Sequence, residues 1–266
     1  MILVIGGLDP SGGAGVGLDL RVLAAHERLG GAVVTTATVQ SSVGLERHVP
    51  LDSAVIAAQI RAVLEDGPVA AVKIGALGSA AVARSVARAL EGFSGPVVLD
   101  TVLGATVGAP LLDDPAALLP LFARAALVTP NLAEAAVLSG LSVADVPAMR
   151  HAAQALRQKG AAAVLLKGGH LQGEAVDVLA VGERVLELAL PRRPHGARGT
   201  GCALATAIAL RLGDGMPLEP AVRAAKTWLW EELARARPLG LAGRHVLLPG
   251  EQGASWSRTT PARRGS

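Results

Sequence analysis

The chain predicts one α/β domain, a mostly parallel sheet with helices covering both faces. Three observations carry this expectation. Short aliphatic runs alternate with longer helical patterns, the order in which βαβ units are written. Those runs are apolar throughout rather than at every second residue, as strands buried on both sides must be. Finally, 266 residues, 51% of them hydrophobic, suffice for one sizeable core. With two Phe, three Trp and no Tyr, that core is built from Ala, Val and Leu.

Taken in order, strands are expected at Ile2–Ile5, Ala32–Val39, Val69–Ile74, Val97–Asp100, Ala126–Thr129 and Ala162–Leu166. Helices are expected at Gly15–Arg28, Ser53–Glu65, Ser79–Leu90, Pro115–Phe122, Asn131–Ser139 and Pro147–Lys159. Beyond Lys167 the pattern changes. Ala175–Val181 and Arg184–Leu190, joined around Gly182, read as a hairpin at the sheet edge. Two helices follow, Thr200–Leu212 and Leu218–Arg237. No internal repeat or linker divides the chain, so residues 1–249 are expected to form a single domain. From Gly250 onward Gly, Ser, Thr, Arg and Pro dominate, which predicts a disordered tail over 250–266.

Composition narrows the function classes. A formal charge of +3, with no basic stripe interleaved with aromatics, gives no support to nucleic-acid binding. No stretch approaches the roughly 18 uninterrupted apolar residues of a membrane span. A single cysteine rules out an internal disulfide framework and fits a reducing, cytoplasmic compartment.

The most informative run is Gly199-Thr200-Gly201-Cys202, which opens an apolar helix. A helix mouth leaves backbone N–H groups open, and the helix dipole favours an anion there. A thiol at that mouth is expected to be acidified. The run therefore places a phosphate site beside a candidate base.

Other signals fall at strand ends. Gly6-Gly7-Leu8-Asp9-Pro10-Ser11-Gly12-Gly13-Ala14-Gly15 follows the first strand, a turn through which backbone approaches a ligand closely. It lacks the third glycine of a dinucleotide fingerprint, and no Gly-Lys-Ser/Thr of a P-loop occurs in the chain. Thr129-Pro130-Asn131-Leu132-Ala133-Glu134 reads in two ways. Asn131 and Glu134 form a capping box, or they reach a hydrated Mg²⁺ on a nucleotide as hard oxygen donors. Lys167, in front of Gly168-Gly169-His170, is either an exposed loop lysine or a cation for phosphate. Asp100 ends another strand at the same sheet edge, where ligands bind in parallel sheets.

In order, these segments resemble the hydroxymethylpyrimidine and phosphomethylpyrimidine kinases of thiamine biosynthesis, in the ribokinase-like superfamily. The likeness runs from about Val4 to Leu239. It is carried by Gly7 to Gly15 with Asp19, Lys73-Ile74-Gly75-Ala76-Leu77, Val98-Leu99-Asp100-Thr101-Val102, Thr129 to Ala135, Lys167 to Leu171, and Gly199 to Cys202.

The resemblance implies a ribokinase-like three-layer α/β/α fold and MgATP-dependent phosphorylation of a pyrimidine hydroxymethyl group. It implies Gly199, Thr200 and Gly201 as an anion hole with Cys202 as catalytic base. It implies Gly7, Asp19, Gln40, Ala76 and Val102 as the pyrimidine pocket, with Asp19 and Gln40 matching an aminopyrimidine edge. Asn131, Glu134, Lys167 and Arg198 would attend the nucleotide, and Asp100 with Glu134 the Mg²⁺, through water. A homodimer is also implied. The chain departs from the family in placing Arg198 before Gly199, where histidine is usual, with His195-Gly196 lying upstream. It carries Thr106-Val107-Gly108-Ala109 where Lys-Ser-Gly-Asp is usual, Ala76 for a pocket methionine and Gly17 for glutamine. Alternatives are a pyridoxal-type or other small-alcohol kinase, a non-catalytic pyrimidine-binding protein, and a cysteine hydrolase pairing Cys202 with His195.

Overall fold

A computed structural model describes residues 1–104, 108, 110–169, 171 and 173–250. The elements are β1 (Ile2–Leu8), α1 (Gly15–Ala25), β2 (Gly30–Gln40), β3 (Leu45–Pro50), α2 (Ser53–Asp66), β4 (Ala71–Ile74), α3 (Ala80–Ala89) and β5 (Val97–Leu99). A 3₁₀ turn (Pro115–Leu118) runs into α4 (Leu119–Phe122), followed by β6 (Leu127–Val128), α5 (Leu132–Ser139), α6 (Val146–Gln158) and β7 (Ala163–Leu166). The chain continues through β8 (Ala175–Val181), β9 (Arg184–Leu190), α7 (Thr200–Gly213), α8 (Leu218–Arg235), β10 (Arg237–Leu239) and β11 (Arg244–Val246).

Nine strands form one sheet in the order β3-β2-β1-β4-β5-β6-β7-β8-β9. The five pairings from β2 to β7 are parallel, and β3, β8 and β9 join antiparallel at the flanks. Alternate residues of each central strand face opposite layers, which is why the runs are apolar throughout. Leu3, Ile5, Val97, Leu99, Val164 and Leu166 pack with α2, α3 and α6. Val98, Leu127, Ala163 and Leu165 pack on the other side with α1, α7 and α8, and Ile2 and Val4 join α1 and α7 there. Each such aliphatic side chain contributes about 1.5–3 kcal/mol when fully buried. The result is the expected three-layer α/β/α architecture.

The structure corrects several expected boundaries. Helix α1 stops at Ala25 rather than Arg28, because Glu27 takes a left-handed φ of 56°. The expected helix at Pro115–Phe122 divides into the 3₁₀ turn and α4, with Pro120 in the first turn of α4. Helix α8 ends at Arg235, not Arg237. Pro238 forces the residue before it into an extended conformation, so Arg237 starts β10 instead. Strand β3 is an addition to the expected set, since Leu45-Glu46-Arg47-His48-Val49-Pro50 carries no apolar run. It is an edge strand that needs none, and its terminal proline is tolerated at an edge. Beyond Gly250 the expected tail lies outside the described residues, as do His170, Thr106, Val107 and Ala109.

Candidate active site

The C-terminal ends of β1, β4, β5, β6 and β7 open on the same sheet edge, and the first turn of α7 faces them. Together they line a cleft of about 610 Å³. Gly7, Gln40, Ala76, Val102, Asp100, Asn131, Glu134, Lys167 and the whole 198–202 run line it. Asp19 does not.

Lys167 leaves the end of β7 and its Nζ donates to Asp100 Oδ1 at 2.7 Å. Thr129 Oγ1 donates to the same oxygen at 3.1 Å. Burial opposes the Asp100 charge, but Lys167 and Lys73 outweigh it and hold the carboxyl below its usual range. The Lys167 loop is itself fixed. Asp177 Oδ1 accepts from the Gly168 N–H at 2.9 Å, and its Oδ2 accepts from Lys226 at 2.5 Å.

Asn131 and Glu134 do form the capping box of α5, each side chain bonding the other's backbone N–H at 2.9 Å. Thr101 Oγ1 also donates to Glu134 Oε2, at 3.1 Å. Oε2 therefore does the capping, while Oε1 makes no hydrogen bond among the described residues. Burial pushes this carboxyl up to about 6, with Lys167 opposing and Asp100 assisting the shift.

Helix α7 begins after Gly199, whose φ of 73° turns the chain into the helix. Among the described residues no side chain caps its first N–H groups. A methyl group on Gly201 would lie 3.0 Å from Lys167 Nζ, so the lysine reaches the uncapped helix mouth itself.

The Cys202 thiol is not acidified as expected. Burial pushes it up to about 11, against Lys73, which favours the thiolate, and with Asp19 and Asp100 disfavouring it. Desolvation outweighs Lys73 and the Gly15 N–H, the two groups that favour the thiolate. Asp19 is also not where the aminopyrimidine reading puts it. It is fully buried, Oδ2 accepting from Lys73 Nζ at 2.7 Å and Oδ1 from Thr206 Oγ1 at 2.8 Å. Burial disfavours the Lys73 charge, but Asp19, Cys202 and Asp100 more than offset this and raise its pKa. Thr206 stands one helical turn beyond Cys202, so this Lys73–Asp19–Thr206 chain underlies the thiol.

Arg198 lines the cleft, yet its guanidinium turns to the first loop. Nη2 donates to Asp9 Oδ2 at 2.9 Å and Nη1 to Ser11 Oγ at 3.1 Å. The guanidinium is thus paired with a buried carboxylate. At the far end of the cleft, Gln40 Oε1 lies 3.3 Å from Thr38 Oγ1 beside Gly7, Ala76 and Val102.

Comparison with known proteins identifies the family. The phosphomethylpyrimidine kinase family profile matches residues 9–246. The chain belongs to that family. As a member of the phosphomethylpyrimidine kinase family it is a phosphotransferase. It is 40% identical over 240 residues to the hydroxymethylpyrimidine/phosphomethylpyrimidine kinase of Rhizobium meliloti, covering 88% of this chain and 90% of that one. The crystal structure of phosphomethylpyrimidine kinase from Clostridium difficile superposes with a TM-score of 0.76 at 33% identity, covering 86% and 97% of the two chains. An ADP complex of Bacillus subtilis pyridoxal kinase superposes at 0.85 with 28% identity, covering 93% and 96%.

Sequence reasoning does not anticipate Arg193, Trp230 or His245 in the lining, and it names His195 only as the partner of Cys202 in the hydrolase alternative. Arg193 lies over the Trp230 ring at 3.3 Å, and His195 stacks on His245 with ring centroids 4.5 Å apart. Both pairs bring together positions more than 30 residues apart, and no local pattern marks them. Lys73 and Asp177 do carry a signal: each is a charged residue within an otherwise aliphatic strand.

Proposed function

We propose that this kinase transfers the terminal phosphoryl group of ATP to the hydroxymethyl oxygen of 4-amino-5-hydroxymethyl-2-methylpyrimidine, and to the phosphate of its monophosphate, in thiamine biosynthesis. The observation that carries the reading is the uncapped mouth of α7 meeting Lys167 at Gly201, in one cleft with Asp100 and Glu134. The 40% identity to the Rhizobium meliloti enzyme directs the choice of substrate.

The N–H groups of residues 199–201 and the Lys167 ammonium stabilise charge on the transferring group, the main requirement of phosphoryl transfer. Gly7, Gln40, Ala76 and Val102 receive the pyrimidine ring, and Asn131 attends the nucleotide. Asp100 and Glu134 offer hard oxygens in the same cleft, a donor set suited to hydrated Mg²⁺. When bound, the ion neutralises phosphate charge. The substrate oxygen forms its bond to phosphorus as the bond to ADP breaks, and its proton passes to the Cys202 sulfur. With the thiol near 11, only about one site in 10⁴ holds the thiolate at pH 7. The rate should therefore rise with pH, about tenfold per unit between 7 and 10.

The deciding experiment is ADP release from MgATP with the pyrimidine, its monophosphate, pyridoxal and ribose. Turnover with the pyrimidines is expected. Turnover with pyridoxal alone would favour the second reading, which the 0.85 TM-score to pyridoxal kinase keeps in view. Calorimetric pyrimidine binding without ADP release would make the protein a binder. In the same assay Cys202→Ala should lower kcat by about 10²–10⁴ while pyrimidine affinity stays within about twofold. Near-normal turnover would remove Cys202 as base.

A further inference from the structure

Arg198 stands where the family usually has histidine, and both its terminal nitrogens are engaged by the first loop. The network there is closed. Asp9 Oδ1 accepts from the Ser11 N–H at 2.9 Å and from the Ser11 hydroxyl at 2.7 Å. The same hydroxyl accepts from Arg198, whose other nitrogen binds Asp9 Oδ2. The Arg198 side chain is 12% exposed and that of Asp9 3%, so the pair is largely removed from water. Here the ions pair and neutralise one another, which selects one relative placement of the two segments that carry them.

What is placed matters for the proposed chemistry. A methyl group on Gly199 would meet the Gly13 carbonyl at 2.3 Å, so the two backbones are already in contact. Gly15, at the end of the same loop, lines the cleft together with Cys202, and its N–H favours the thiolate. On its other side, the Arg198 N–H donates to the His245 carbonyl at 2.9 Å, which ties the run to β11. The guanidinium thus spans the seam between the loop before α1 and the mouth of α7.

We propose that Arg198 is a positioning residue: its fork latches the first loop to the mouth of α7 and sets the spacing between the Gly15 amide, the Cys202 thiol and the amides of 199–201. It acts through Asp9 and Ser11, not by touching phosphate. The role in turnover rests on the kinase reading above; the latch itself does not.

The test compares wild type, Arg198→Ala, Arg198→Lys, Asp9→Asn and the double variant Arg198→Ala/Asp9→Asn. ADP release, calorimetric MgADP binding and amide hydrogen exchange are measured for each. A displacement of about 1 Å costs on the order of 10² in rate. Each single variant should therefore lose about 10²-fold in kcat, with the KM for ATP and the Kd for MgADP within about twofold. Arg198→Lys should not rescue, since an ammonium lacks the fork. The double variant should be no slower than Arg198→Ala, and exchange over 9–15 and 199–202 should rise in all of them. A tenfold rise in the MgADP Kd and in the KM for ATP with kcat preserved would overturn the latch in favour of a phosphate contact. So would additive losses, full activity in Arg198→Lys, or unchanged exchange. Should Arg198→Ala fail to fold, Ser11→Ala removes the two hydroxyl bonds of the network, leaves the Arg198–Asp9 pair in place, and is read in the same way. A wild type that releases no ADP with either pyrimidine would sink the kinase reading, while exchange and MgADP affinity would still decide the latch.

Discussion

Glu134 uses one of its two oxygens for capping, and the proposed function gives the other to Mg²⁺. Oε2 closes the capping box and accepts from Thr101, and Oε1 is left without a hydrogen-bond partner among the described residues. The motif Asn131-x-x-Glu134 announces the first task and leaves the second as its rival; the structure makes them compatible. What no local pattern announces is burial, which lifts the group from 4.5 to about 6. For a carboxyl raised in the folded state, protonation favours folding, so stability falls as pH rises from 4.5 through 6 and the penalty persists above. Glu134→Gln should therefore be no less stable than wild type at pH 7 in a thermal melt. Activity has the opposite sign. Mg²⁺ requires the carboxylate, so its apparent affinity in ADP-release assays should weaken about tenfold per unit as pH falls below 6. Glu134→Gln should abolish that step. A variant that keeps it would place the titrating group elsewhere. Cys202 teaches the same lesson: the helix mouth is legible in Gly199-Thr200-Gly201, but the burial that raises the thiol is not.

Among the elements, the mouth of α7 is tightly constrained. Gly199 adopts a φ of 73°, and a side chain there would strike the Gly13 carbonyl at 2.3 Å. Left-handed strain alone costs about 1–3 kcal/mol, and the clash requires the two loops to separate. Gly199→Ala should lower the urea-unfolding free energy by at least about 1 kcal/mol and kcat by about 10²-fold. Wild-type stability in that variant would show that the turn relaxes without the glycine. Elements with buried faces are legible because their apolar periodicity is local. The helix of Asn131–Ser139 and the two strands of the hairpin, Ala175–Val181 and Arg184–Leu190, are found where expected, to within a residue. Strand β3 and the β10–β11 pair are not legible, since each is held by a partner strand rather than by an apolar face of its own.

For the whole molecule, both edges of the sheet are antiparallel additions to a parallel centre. Near one edge, Val39, Val49, Leu51 and Val55 are exposed although large and aliphatic. The homodimer that the family resemblance implies would need an exposed apolar surface of this kind. Sedimentation equilibrium at micromolar concentration should give twice the monomer mass, and Val49→Glu with Leu51→Glu should return it to one. A monomer at every concentration would remove the dimer from the reading. No helix among the described residues is long and apolar enough to cross a membrane.

The order of the chain within this architecture has a consequence for assembly. Strand β1 lies between β2 and β4, and all nine strands of the sheet precede residue 191. Helices α7 and α8, which cover much of one face, come after it. A chain emerging in sequence can therefore pair its whole sheet and shape the Gln40 end of the cleft while the anion-binding run is still unmade. The mouth of α7 arrives last. An incomplete product that stops before α7 leaves Val98, Leu127, Ala163 and Leu165 without the helices that cover them.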